Sequence, residues 1–104
     1  MNRTLVIIDG GNFYRKLKGL GFVRTSEFKY RQFIDWLVGN EYDKVILVSS
    51  DTDLIPAIKE SKNLGKIIEY IGFENSPSFA LIRFSNSRRL LRKEDLQLFN
   101  NSTQ

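Results

Sequence analysis

Two short apolar runs in this chain end in acids. Leu5-Val6-Ile7-Ile8 is followed by Asp9, and Val45-Ile46-Leu47-Val48 by Ser49-Ser50-Asp51-Thr52-Asp53. Carboxylates brought together repel one another unless a cation lies between them. A divalent ion held by such a trio can turn water into a nucleophile or neutralise charge on a phosphate. Asp9, Asp51 and Asp53 are therefore candidate metal ligands. Asn12, one turn beyond Asp9, can position a ligand or a water. Ser49, Ser50 and Thr52 can hold a phosphate or orient the acids. Each of these residues also has a plain structural use: Asp9 in an Asx-turn, Asp53 or Asn12 as a helix cap, the hydroxyls in turns. The recurrence of acids after two separate runs favours a site, because core packing does not ask carboxylates to converge.

Composition narrows the chemistry. The 104 residues include no Cys and no His, which excludes disulfides, thiolate metal sites, His-based general base catalysis and ordinary zinc sites. A metal here must take oxygen ligands, which favours Mg²⁺, Mn²⁺ or Ca²⁺. The net charge of +4, from 16 Lys plus Arg against 12 Asp plus Glu, fits a polyanionic partner. Arg15 and Lys16, with Lys18, follow Asn12 directly, and Arg88, Arg89, Arg92 and Lys93 cluster near the C-terminus. Either group can grip a phosphate backbone or form the wet face of its element. Tyr14 and Phe73 can stack on bases or serve as core and rim aromatics.

Elements must position these residues. Leu5 to Ile8 reads as a strand buried on both faces, as in a parallel sheet. Asn12 opens a helix with Phe13, Leu17 and Leu20 on one stripe, ended by Gly19 and Gly21. Ser26 to Asn40 is a second helix, capped by Ser26, with Tyr30, Phe33, Ile34 and Leu37 on its apolar face. Val45 to Val48 is the second strand. A helix from about Leu54 to Leu64 has Pro56 in its first turn, where a missing N–H costs nothing. Lys66 to Ile71 is the third strand, Gly72 to Pro77 a loop, and Ser78 to Phe84 a helix. Leu90-Leu91 is a short fourth strand or a turn, and Lys93 to Phe99 a terminal helix. The expected fold class is α/β: a small parallel sheet of three to four strands with flanking helices. Residues 1–99 form one domain and 100–104 a disordered tail. No stretch is long and apolar enough to span a bilayer, and the first apolar run is too short for a signal peptide, so the expected location is cytoplasmic.

In open α/β sheets, sites form beyond the carboxyl ends of the strands. If the first two strands are neighbours, Asp9, Asp51 and Asp53 converge on one rim. A dinucleotide fingerprint is absent, since Asp9-Gly10-Gly11-Asn12 lacks the spacing.

Leu5-Val6-Ile7-Ile8-Asp9-Gly10-Gly11-Asn12-Phe13 resembles the opening of NYN domains, a strand followed by D-G-x-N. Val45 to Leu54 is similar to their later motif, a strand followed by S-x-D-x-D and an apolar residue. Pro56-Ala57-Ile58, Gly65-Lys66, Gly72-Phe73, Pro77 to Leu81 and Arg89-Leu90-Leu91 continue the likeness. The resemblance implies a PIN-like three-layer α/β/α sandwich and an endoribonuclease that attacks RNA with Mg²⁺ or Mn²⁺. By motif, Asp9, Asn12, Asp51 and Asp53 would be its catalytic residues. The alternative is a non-catalytic RNA-binding or assembly module on the same fold.

The chain departs from the family in one place. Members carry a middle section, with further strands and another acid, between the second helix and the S-x-D-x-D strand. Here Asn40-Glu41-Tyr42-Asp43 leads straight into that strand. Asp35 either replaces the lost acid or lies on the solvent face of its helix. The first strand also loses its flanking strands, so its edge should lie open. A homodimer, or a partner chain through that edge, is the expected consequence.

Overall fold

The structure, a computed structural model, describes residues 4–39 and 43–100. Four parallel strands run in the order in which they occur along the chain: β1 (Leu5–Ile8), β2 (Lys44–Val48), β3 (Ile67–Phe73) and β4 (Ser87–Leu91). The helices are α1 (Gly10–Gly19), α2 (Tyr30–Val38), α3 (Ile55–Asn63), α4 (Phe79–Phe84) and α5 (Lys93–Gln97). The α/β class and the parallel sheet of the sequence reading are thus present. No helix among the described residues is long and apolar enough to cross a membrane.

The sheet separates two apolar layers. On one face, Val6, Ile8, Ile46, Val48, Ile71, Phe73 and Leu91 meet α1, α2 and α5 through Phe13, Leu17, Phe33, Leu37 and Leu96. Phe13 is fully buried and touches the rings of Phe28, Phe33 and Phe73. On the other face, Leu47, Ile68 and Tyr70 meet Ile58 of α3 and Leu81 of α4. That second layer lies under β2, β3 and β4. Leu5 and Ile7, which point to the same side from β1, remain 57% and 42% exposed.

Several boundaries differ from the sequence reading, each for a local reason. Asp9, not Asn12, caps α1: its carboxylate accepts the Asn12 N–H, and the helix begins at Gly10. Ser26 lies within a 3₁₀ turn, Thr25–Glu27, so α2 starts only at Tyr30. Asn40, the expected end of that helix, lies outside the described residues. β3 runs on through Gly72 and Phe73, because β4 is a full strand that pairs with both. Phe73 is consequently buried in the core and unavailable to a base. Gly72 is a requirement of packing, since a Cβ there would collide with the Tyr70 ring lying along the strand. That ring is held by its hydroxyl, which accepts the Ser78 N–H at 3.0 Å. At the C-terminus the Lys29 N–H donates to the Phe99 carbonyl at 2.7 Å and Asn100 is buried, so packing continues to the edge of the expected tail.

Candidate functional site

β1 and β2 lie side by side in register, with Ile8 opposite Val48. The ladder continues one step further, where the Asp9 N–H donates to the Val48 carbonyl at 3.0 Å. This brings the two polar segments expected to form a site into contact at one rim of the sheet.

Their side chains interlock. The Ser49 hydroxyl donates to Asp9 Oδ2 at 3.4 Å and accepts the Asp51 N–H at 3.0 Å. Asn12 Nδ2 donates to Ser50 Oγ at 2.9 Å, while Asn12 Oδ1 accepts from the Ser50 N–H at 3.3 Å and hydroxyl at 3.1 Å. Asp51 Oδ1 accepts the Asp53 N–H at 2.9 Å and so caps the 3₁₀ turn Thr52–Leu54 that leads into α3. Ser49 is buried, Asp9, Asn12, Ser50 and Asp51 are partly covered, and Thr52 and Asp53 are exposed. Asn12 thus crosslinks α1 to the β2 exit, and Ser49 links Asp9 to Asp51.

Asp9 and Asp51 each cap a turn with one oxygen and keep further lone pairs for other partners. α1 starts at this rim, so its first N–H groups and the positive end of its dipole favour a bound anion. A side chain on Gly11 would come within 3.8 Å of the Arg15 guanidinium, which places that cation beside the helix start. Lys16 Nζ reaches across to Ser76 in the loop after β3 at 2.6 Å.

As a ready-made cage for a cation the site does not fit. Among the described residues, no three acidic side chains meet closely enough to ligate one ion. The donor types are nevertheless hard oxygens, and Mg²⁺ commonly binds through one or two carboxylates together with substrate phosphate.

The C-terminal basic residues divide. Arg88 is exposed on β4. Arg89 points to the opposite side, where its guanidinium donates to the Leu37 carbonyl at 2.8 Å and pairs with Glu69 at 3.3 Å. Glu69 is buried and also lies 3.8 Å from Lys44, so Arg89 serves an internal ion pair. At the start of α5 the Arg92 N–H donates to the Asp95 carboxylate at 2.9 Å and the Asp95 N–H to the Arg92 carbonyl at 3.0 Å, which leaves the Arg92 guanidinium outside the cap, and Lys93 lies over the Phe22 ring. Asp35 is exposed on α2. The sequence reading missed Phe79, the first residue of α4, which is 76% exposed at the β3 exit. Its position directly after the Ser78 cap was the available signal, since N1 lies ahead of the buried stripe.

The family model of the NYN domain matches residues 30–89, more than half of the chain. This chain belongs to the NYN domain family. The match takes in Asp51 and Asp53, whereas Asp9 and Asn12 precede it. Searches of curated proteins and of solved structures find no match. The parallel sheet with flanking helices is the α/β arrangement of a PIN-like NYN domain, and the family places the chain in the PIN-like nuclease class.

Proposed function

We propose that this NYN domain cleaves RNA by phosphodiester hydrolysis at the rim formed by the β1 and β2 exits. The observation that carries the reading is the joined Asp9–Asn12–Ser49–Ser50–Asp51 network at the carboxyl ends of two adjacent parallel strands. Asp9 and Asp51, linked through Ser49, are the groups that would hold Mg²⁺ or Mn²⁺ alongside a phosphate, with Asp53 exposed beyond them. Such an ion, when bound, supplies an activated water and neutralises phosphate charge.

The chain's own residues do the rest. Asn12 and Ser50 hold the two exits in register. The α1 N-terminus and Arg15 receive a phosphate, with Lys16 beside them. Exposed Tyr14 and Phe79 offer faces on which unpaired bases stack, and Arg88, Arg92 and Lys93 add sequence-independent attraction. The uncovered β1 edge supports, in the same reading, contact with a second polypeptide.

The test is cleavage of single-stranded RNA in the presence of Mg²⁺ or Mn²⁺, with single-stranded DNA as comparison. Cutting by the parent, and its loss in Asp51→Asn and Asp9→Asn with folding intact, supports the reading. A second reading, a non-catalytic RNA-binding module, is favoured by the absence of a three-acid group among the described residues. It predicts salt-dependent RNA binding without cutting, unchanged in Asp51→Asn.

A further inference from the structure

The two edges of the sheet are built differently. β4 carries the exposed Arg88, and charge on an edge strand discourages pairing with another chain. β1 reads Leu5-Val6-Ile7-Ile8, with no charge and no proline. Among the described residues it is the outermost strand beyond β2, and its Leu5 and Ile7 stand in the open. Ile7 also borders a shallow groove with Val45, Leu47, Leu54, Ala57 and Ile58.

The direction of the backbone groups along β1 follows from one hydrogen bond. The Asp9 N–H donates inward to the Val48 carbonyl. Successive residues of a strand point their N–H and C=O to alternate sides. Leu5 and Ile7 therefore address β2, and the N–H and C=O of Val6 and Ile8 address the open edge.

We infer that β1 pairs with β1 of a second copy of this chain, antiparallel, about a two-fold axis through Val6. In this register Val6 exchanges both backbone hydrogen bonds with Val6 of the second copy. Leu5 then stands opposite Ile7 of the second copy, and Ile7 opposite its Leu5. Both pairs are the close, non-hydrogen-bonded kind, with Cα atoms about 4.5 Å apart. All four side chains lie at the β1 margin of the sheet face, which α3 and α4 leave uncovered, so pairing buries the apolar surface β1 exposes. A two-fold axis through Ile8 would instead set Ile7 against Asp9, and one through the non-hydrogen-bonded Ile7 pair would set Leu5 against Asp9; either buries an acid. Pairing of β1 with β4 would be head-to-tail, would not close, and would bring the arginine-bearing edge against an apolar one. The edge is uncharged and apolar on both sides of Val6, which suits a second copy of itself, and the Val6 register is the one that sets Leu5 against Ile7. The two RNA rims then point in opposite directions, so the dimer stands or falls independently of cleavage.

The experiment uses the absence of cysteine from the chain. Leu5→Cys and Ile7→Cys variants are prepared separately, mixed and oxidised. The proposed register brings the two new thiols within disulfide reach, whereas two copies of Leu5→Cys lie offset along the strand beyond about 7 Å. The expected result is a covalent dimer from the mixture and none from either variant alone. Both positions are exposed, and circular dichroism establishes that the variants fold. Hydrogen exchange of the Val6 amide in the parent chain is the second measurement, with protection expected to rise with protein concentration. Equal crosslinking of Leu5→Cys with itself overturns the register. A Val6 amide whose exchange is independent of concentration, with no crosslink in the mixture, overturns the dimer.

Discussion

β1 and β3 are both written mainly in apolar residues, yet they meet different fates. β1 alternates between exposed and half-buried positions, while β3 is buried from Ile68 through Phe73. The sheet is covered on one face across its width and on the other only beneath β2, β3 and β4. An apolar run shows that a strand can be buried on both faces; the crossover helices decide whether it is. Here α3 and α4 cover the inner strands, and among the described residues nothing covers the outer face of β1. The polar site sits at the tip of this half-covered side, and the stability of the molecule resides mainly on the other.

The largest expected effect tests that division directly. Phe13→Ala removes a fully buried ring that packs against three other phenylalanines and should cost about 3–5 kcal/mol. Leu5→Ala, on the exposed side, should cost well under about 1 kcal/mol in the monomer. Urea denaturation of both variants checks this, and equal losses would break the contrast.

Arg89→Leu should cost about 1–3 kcal/mol, because it leaves the buried Glu69 with Lys44 as its remaining cation among the described residues. The same change should leave RNA affinity nearly unaltered, whereas Arg88→Ala should weaken binding and lower its salt dependence. Filter binding at two salt concentrations, alongside denaturation, separates the two arginines.

Gly72→Ala should destabilise by about 1–3 kcal/mol through collision with the Tyr70 ring. Pairing it with Tyr70→Ala should recover part of that loss relative to the sum of the single changes, as a double-mutant cycle reads out.

The smallest effect concerns pH. Burial pushes the Tyr70 hydroxyl above its ordinary value of 10.0, with the hydrogen bond from the Ser78 amide opposing in part. The fold therefore favours the neutral phenol. Its contribution is complete below the ordinary tyrosine pKa and is lost as pH rises through the higher folded value. Tyr70→Phe should cost about 1 kcal/mol at neutral pH and flatten the alkaline decline. The raised Tyr30 leaves a residual slope. Denaturation midpoints measured across the alkaline range check the sign.

Much of the site was legible in the residues. Acids and hydroxyls after two β-branched runs could be read as polar strand exits, because a buried strand must end where the chain turns polar. A local turn made by Asp9 was among the structural uses considered, and Asp9 makes one; the cap expected of Asp53 is made by Asp51 instead, which accepts the Asp53 N–H. The partner of Arg89 was invisible, since Glu69 is twenty positions away and looks like any charge inside a strand. The burial of Phe73 likewise depended on β4 being long enough to pair with it.

The sequence by itself determined the alternation of strands and helices, the polar exits and the absence of any thiolate or imidazole metal ligand, because these follow from residue type and short-range period. Tertiary structure alone decided that β1 stands at the edge, that its tip touches that of β2, that Glu69 claims Arg89, and that the three acids do not form one ligand group. These depend on which strands lie beside each other and which faces the helices cover, and such pairings are set by the packing of distant segments.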